Sequence, residues 1–172
     1  PPPPLQLPRP PPTPTRSVSS AASVVYKRQS LYNGSKIAFY GFIFFLALMT
    51  WRAIIHMFFW ETGLHDIANV IVLEGKPDPM IPIYLFFSLW GLQQILTCLI
   101  SLIVLLKYQG LIPLMILIFA LEWWIRTFYS LMGMPSIIAE YTDGVTPGAV
   151  GAPFAGILLL IMLALSLRSK NA

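Results

Sequence analysis

Charged side chains are scarce in this sequence. Lys, Arg, Asp and Glu together make up 10% of its 172 residues, whereas 56% of the residues are hydrophobic. A soluble domain of this length would have more apolar surface than it can bury, so the composition excludes a water-soluble globular domain. The chain is therefore predicted to be a membrane protein.

Cysteine is almost absent as well, because Cys98 is the one cysteine of the chain. An intrachain disulfide and a multi-cysteine metal site are both excluded. The sequence also lacks the HExxH, GxSxG and phosphate-loop motifs. A metallohydrolase or a nucleotide-driven pump is therefore not indicated, and we assign no catalytic residue and no metal site.

Long hydrophobic runs, in contrast, are abundant. Four of them cover residues 37–60, 80–106, 111–134 and 150–167. Each is close to the roughly 20 residues that a helix needs to cross the hydrocarbon core, and none shows the alternation of a barrel strand. The sequence predicts an all-α, integral membrane four-helix bundle over residues 37–170.

The first 36 residues have a different composition and form a predicted arm. Residues 1–14 contain nine prolines, and Arg16, Lys27, Arg28 and Lys36 follow. Proline fixes φ and removes the amide donor, so such a run favours an extended rod that packs no core. We expect the arm to be disordered or bound to a partner through seven of its prolines, Pro1, Pro2, Pro3, Pro4, Pro10, Pro11 and Pro12.

The distribution of charge predicts the orientation. The N-terminal arm, the loop around Lys107 and the C-terminal tail contain eight Lys or Arg and no acidic residue, whereas the other two connections carry most of the acids. By the positive-inside rule, both termini are predicted to face the cytoplasm. Because orientation in the membrane explains where the basic residues lie, the net positive charge does not indicate a nucleic-acid partner.

The three connections between the spans differ in kind. KYQG at 107–110 is a tight turn, which predicts an antiparallel hairpin of spans two and three. Residues 63–75 mix apolar and polar side chains over about three helical turns and are expected to lie at the membrane interface. Residues 134–153 are rich in Pro and Gly and are expected to be mostly loop.

Polar residues inside the spans are the candidate site. Glu122 and Arg126 are four residues apart, so both lie on one helix face, and Arg52 and His56 have the same spacing. An unpaired charge in hydrocarbon costs at least a few kcal/mol, which favours one interior cluster. Its predicted members are Arg52, His56, Gln93, Gln94, Glu122 and Arg126.

Three interpretations of this cluster stay open. It is an interhelical lock that fixes how the bundle assembles, or the polar end of a cavity for an amphipathic ligand such as a lipid or quinone, or a proton relay through Glu122 and His56. His56 is also a possible ligand of haem iron or of chlorophyll magnesium. The sequence requires no cofactor, although a bound lipid, quinone or (bacterio)chlorophyll is compatible with it.

Small residues near the start of span four predict close helix packing. Gly151 and Ala155 are four apart, and so are Ala152 and Gly156. This spacing lets two helices approach each other, within the bundle or in a homodimer.

Two stretches resemble a known family. IYLFFSLWGLQQ at 83–94 and IRTFYSLMGMPS at 125–136, with LIPLMIL at 111–117 after the short turn, resemble small bacterial four-span membrane proteins of the DoxX-like kind. The resemblance covers spans two and three. It implies a four-helix bundle in a bacterial inner membrane and no catalytic residue, since most of these proteins have no assigned function.

Together these features predict a non-enzymatic accessory subunit of a larger membrane complex. Its proline-rich arm would dock on a neighbouring protein, because polyproline II segments lose little entropy on binding. The expected partners are membrane lipids and other integral membrane subunits. The alternative is a small membrane protein that binds or transports an amphipathic ligand, or relays protons, at the Glu/Arg/His cluster.

Overall fold

The computed structural model describes residues 23–24, 31–132 and 139–168. Four long helices account for most of these residues: α1 (Lys36–Phe58), α2 (Met80–Lys107), α3 (Ile112–Leu131) and α4 (Pro147–Leu167). Each is long and apolar enough to cross a membrane. The prediction of an all-helical chain with four such helices is confirmed, and the proline-rich arm at 1–14 lies outside the described residues.

Local signals explain where these helices begin. The hydroxyl of Ser35 accepts a hydrogen bond from the Ile37 amide at 3.2 Å and caps α1. At α2, a carboxylate oxygen of Asp78 accepts from the Met80 amide at 2.8 Å. Pro147 is the first residue of α4, where a missing amide proton costs nothing.

Two predictions about the connections need correction. Residues 134–153 were expected to be mostly loop, yet α4 already begins at Pro147. Residues 63–75 do not form three turns of interfacial helix. A short π-helix covers Thr62–Ile67, and extended chain follows, because Val70 pairs with Thr142 of the other long connection in an antiparallel bridge.

The helices pack mainly as two pairs, α1 with α2 and α3 with α4. The connection between α2 and α3 is short, as expected, with a 3-10 turn at Gln109–Leu111. The two helices it joins nevertheless contact each other little, so the predicted hairpin is not a packed unit. A short turn fixes only the ends of two helices, whereas side-chain fit decides which faces meet.

Aromatic and aliphatic side chains of α1, α3 and α4 fill the core. Phe45 of α1 lies 5.4 Å from Phe119 of α3 between ring centroids, in an edge-to-face arrangement, and Leu159 of α4 is fully buried. The outward faces are also apolar, since Phe44, Phe86 and many similar residues are exposed. Apolar faces of this size are suited to lipid.

The two ends of the bundle are held differently. At the short-loop end, where α1 begins and α4 ends, the Ser35 amide donates to the Leu165 carbonyl at 3.2 Å. At the opposite end, which we call the long-loop end, the connections 59–79 and 132–146 meet. The candidate site lies just below this long-loop end.

Candidate functional site

Three helices contribute polar side chains at similar depth. Arg52 is about 9 Å from the end of α1 and Arg126 is about 8 Å from the end of α3, from the helical rise per residue. Gln94 of α2 is buried and contacts two side chains of α1. Among the predicted residues, Arg52, His56, Gln94, Glu122 and Arg126 take part in these contacts.

Gln94 connects Arg52 to His56. Nη1 of Arg52 donates to Oε1 of Gln94 at 3.3 Å, and Nε2 of Gln94 is 3.3 Å from Nδ1 of His56. A guanidinium can only donate, so the Gln94 oxygen must face Arg52 and its amide nitrogen must face His56. Nδ1 of His56 therefore accepts, and the neutral imidazole has its proton on Nε2.

Glu122 and Arg126 form an ion pair along α3. Nη2 of Arg126 donates to Oε1 of Glu122 at 3.1 Å, as the spacing of four residues permits. Among the described residues this is the one ion pair within 4 Å, so Arg52 has a neutral amide as its hydrogen-bonding partner. The cluster thus contains two guanidinium groups and one carboxylate.

Two indole rings hold both guanidinium groups. The central carbon of Arg52 is 5.0 Å from the ring centroid of Trp90 and 5.4 Å from that of Trp123. The corresponding distances for Arg126 are 4.9 and 5.2 Å. Each contact of this kind contributes from about 0.5 kcal/mol when exposed to about 2 kcal/mol when desolvated. The indoles therefore stabilise two cations that lie near each other and are only partly exposed.

His56 is stacked on the same aromatic group. Its ring lies 4.7 Å from Trp90, nearly parallel at 24°, and 4.6 Å from Phe87. No hydrogen bond between His56 and Glu122 is present in the described part of the chain. The proton relay through these two residues and the haem or chlorophyll ligation by His56 stay predictions.

A cavity of about 590 Å³ opens beside the cluster. Its walls are mostly apolar and come from α1, α2, α3, the π-helix and the start of α4, while Arg52, His56 and Arg126 supply its charged and polar groups. Arg52 also lines a much smaller cavity of about 10 Å³, together with Glu122, Gln94 and Thr97. The carboxylate therefore borders the small cavity and not the large one.

The described parts of the two long connections form the roof of the large cavity, which Gly63, Ile67, Ala68 and Thr146 line. The Ile71 amide donates to the Tyr141 carbonyl at 2.9 Å, and the Asp143 amide donates to the Asn69 carbonyl at 2.7 Å. Side chains add two further bonds, from Asn69 Nδ2 to the Val145 carbonyl and from Thr146 Oγ1 to the Ala68 carbonyl. We call this set of four hydrogen bonds the clasp. Asn69 has a positive φ of 58°, which Asn tolerates better than most residues.

Gln93 does not join the cluster. It is exposed and its amide donates to Thr97 of the same helix at 3.2 Å. Neighbouring residues of a helix point about 100° apart, so Gln93 and Gln94 cannot both face α1. Only Gln94 of this pair belongs to the site.

The small residues of α4 also separate into two groups. Ala152 and Gly156 are buried, Ala155 packs against the core, and a Cβ at Gly156 would lie 3.1 Å from the Trp124 indole nitrogen. A Cβ at Gly151, in contrast, would meet nothing within 4 Å. Three of the four predicted packing residues therefore contact the bundle itself.

Several residues of the site did not stand out in the sequence. Gly91 brings α2 against α1, since a Cβ there would lie 2.5 Å from the backbone nitrogen of Met57. Trp90 and Trp123 hold the guanidinium groups. Spacing contains a usable signal, because Trp90 lies four residues before Gln94 and Trp123 lies three before Arg126, on the same helix faces.

Comparisons of the chain with protein-family models, with curated proteins and with solved structures give no match. The DoxX-like resemblance therefore stays a prediction. The functional argument rests on the residues of this chain alone.

Proposed function

We propose that this chain is an integral membrane protein that binds an amphipathic ligand in the large cavity, with the polar head of the ligand at the cluster of Arg52, His56 and Arg126. The observation that carries the proposal is the combination of an apolar cavity of about 590 Å³ and convergent polar groups at one part of its wall. Small-molecule sites have this composition and volumes of roughly 300–1,000 Å³. The role is binding or transport and not catalysis.

Lipid access supports the same proposal. Trp51 and Tyr129 line the cavity, and each is 59% exposed. We propose that the cavity opens to the lipid between α1 and α3, beside these two side chains. An amphipathic molecule can enter sideways from the bilayer while its tail stays in an apolar environment.

We further propose that both termini face the cytoplasm of a bacterial inner membrane, which places the cavity in the outer half of the bilayer. The excess of Lys and Arg at the short-loop end supports this orientation. Lys76 and Lys107 are exposed and lie at opposite ends of the bundle. In a Cys98→Ala background, a membrane-impermeant maleimide should label Lys76→Cys on intact spheroplasts and Lys107→Cys only after permeabilisation. The reverse pattern would invert the topology.

A pair of glycines offers a direct test of ligand binding. Gly148 lines the cavity and Gly151 does not, while a Cβ at either position would meet nothing within 4 Å. Gly148→Leu should fill the cavity, and Gly151→Leu is the matched control. Native mass spectrometry in mild detergent would measure binding of oleate, oleyl alcohol and decylubiquinone. Loss of the bound probe in the Gly148 variant alone supports the proposal, whereas equal binding by both variants contradicts it.

A second candidate function is the accessory subunit predicted from the proline-rich arm. The contact between Ser35 and Leu165 supports it, because the chain that leads to the arm leaves the bundle at a fixed place beside α4. Deleting residues 1–20 should then weaken recovery of the partner subunits while the helices still insert. Recovery of an unchanged complex with the truncated chain would count against this role.

A further inference from the structure

We infer that the ligand of the large cavity has an acidic head, a carboxylate or a phosphate on an acyl chain. This inference rests on the proposed function and specifies the chemical class of the ligand. Three independent features of the site lead to it: the balance of charge, the direction of the hydrogen-bonding groups and the position of Glu122.

The balance of charge leaves one cation without a counter-ion. Arg126 pairs with Glu122, whereas the partners of Arg52 are Gln94 and two indole faces. Removing a charged side chain from water costs several kcal/mol unless another charge compensates it. One negative charge on a ligand would complete the set.

The hydrogen-bonding groups at the cavity are mostly donors. Two guanidinium groups line the cavity, those of Arg52 and Arg126, and a guanidinium can only donate. Neutral His56 carries its proton on Nε2, since Nδ1 accepts from Gln94. A ligand head that accepts hydrogen bonds therefore matches these side chains better than a head that donates them.

No acidic side chain competes for this position. The described lining of the large cavity contains Arg52, His56 and Arg126 and neither Asp nor Glu. Glu122 lines the small cavity and does not line the large one. The acids of the described long connections, such as Glu61 and Asp66, are exposed and do not line the cavity. An acidic head at the cavity would therefore face guanidinium groups without a carboxylate beside it.

Three probes with the same 18-carbon tail separate charge from apolar binding. Oleate and oleyl phosphate have acidic heads of the two kinds, and oleyl alcohol is the neutral match. Each probe is measured separately with the full-length protein in phosphatidylcholine nanodiscs. We expect at least one of the two acidic probes to bind about tenfold more tightly than the alcohol. The acidic probe with the lower dissociation constant identifies the head as carboxylate or phosphate.

Variants then test whether Arg52 binds the acidic head. Arg52→Gln should remove the preference for the acidic probe, Arg52→Lys should retain part of it, and Lys107→Gln, which neutralises an exposed cation at the far end, should leave it unchanged. A melting curve of each variant shows whether it is folded. The comparison of the three probes on the wild-type protein does not depend on any variant. If oleyl alcohol binds as tightly as the acids and Gly148→Leu weakens all three, the inference is overturned and the binding function stands. If no probe binds, both are overturned.

Discussion

Arg52 of α1 and Arg126 of α3 lie against the same two indole rings, with their guanidinium carbons 5.0 and 4.9 Å from the centroid of Trp90. Two cations from different helices would repel each other in an apolar interior. The electron-rich faces of Trp90 and Trp123 attract both cations and so offset that repulsion. The arrangement explains how α1, α2 and α3 meet at a polar centre.

Trp90→Leu should destabilise the bundle because it removes one indole from both guanidinium groups and from His56. Two lost cation–π contacts amount to about 1–4 kcal/mol in the free energy of unfolding. Thermal unfolding in detergent would measure the change. Trp90→Phe retains a ring face and should lose less, and Trp60→Leu, at an exposed tryptophan outside the cluster, is the control. Equal melting of the Leu and Phe variants would contradict the role assigned to the ring.

Glu122→Gln should also lower stability, since Arg126 would lose its ionised partner. The pair is partly exposed, with 23% and 33% of the two side chains accessible, so we expect a moderate decrease in the melting temperature. If the cavity holds an acidic ligand, oleate should stabilise this variant more than it stabilises the wild type. The comparison is a pair of melting curves for each protein with and without oleate. A variant that responds to oleate less than the wild type does would contradict the expectation.

Gly91→Ala should disturb the contact between α1 and α2. The added methyl group would meet the backbone of His56 and Met57 at 2.5–2.8 Å, and backbone atoms cannot rotate away. Overpacking of this kind costs about 1–3 kcal/mol. Gly151→Ala adds the same methyl group in open space and should melt like the wild type. If the two variants melt alike, the close approach at Gly91 is not important for stability.

Variants of Asn69 separate two contributions to the clasp, the hydrogen bond of the Asn69 side chain and the positive φ of its backbone. Asn69→Gly removes the bond to Val145 but accepts the positive φ, whereas Asn69→Ala also places a Cβ in that conformation. We expect faster amide hydrogen exchange at Ile71 and Asp143 in both variants, with the larger effect in the Ala variant. Mass spectrometry of peptides that cover these residues would measure it. Unchanged exchange would mean that the backbone bonds hold the roof without Asn69.

Much of the fold follows from the sequence because lipid-spanning helices are recognised by length and apolarity alone. The helix ends agree with the predicted spans to within two residues except at Leu131 and Pro147, which each differ by three, in a connection where Pro and Gly signals were interpreted as loop. The pairing of the helices was harder to predict. Gly91 and Gly156 each permit one close approach, but a single glycine in an apolar run does not indicate which helix it will contact.

In the candidate site, too, contacts within one helix could be predicted from the sequence and contacts between helices could not. The ion pair of Glu122 and Arg126 follows from helical periodicity, and the structure contains it. The link from Arg52 to Gln94 joins different helices, so no spacing along the chain encodes it. Gln93 and Gln94 were equivalent by depth, and only the rotation of α2 distinguishes them.

The division of the bundle into two pairs of consecutive helices affects how the chain enters the membrane. Arg52 finds Gln94 and Trp90 within the first pair, and Arg126 finds Glu122 and Trp123 within the second. Each half of the chain thus supplies its arginine with polar and aromatic partners of its own. We therefore expect each half to be able to enter a membrane with its arginine already partnered.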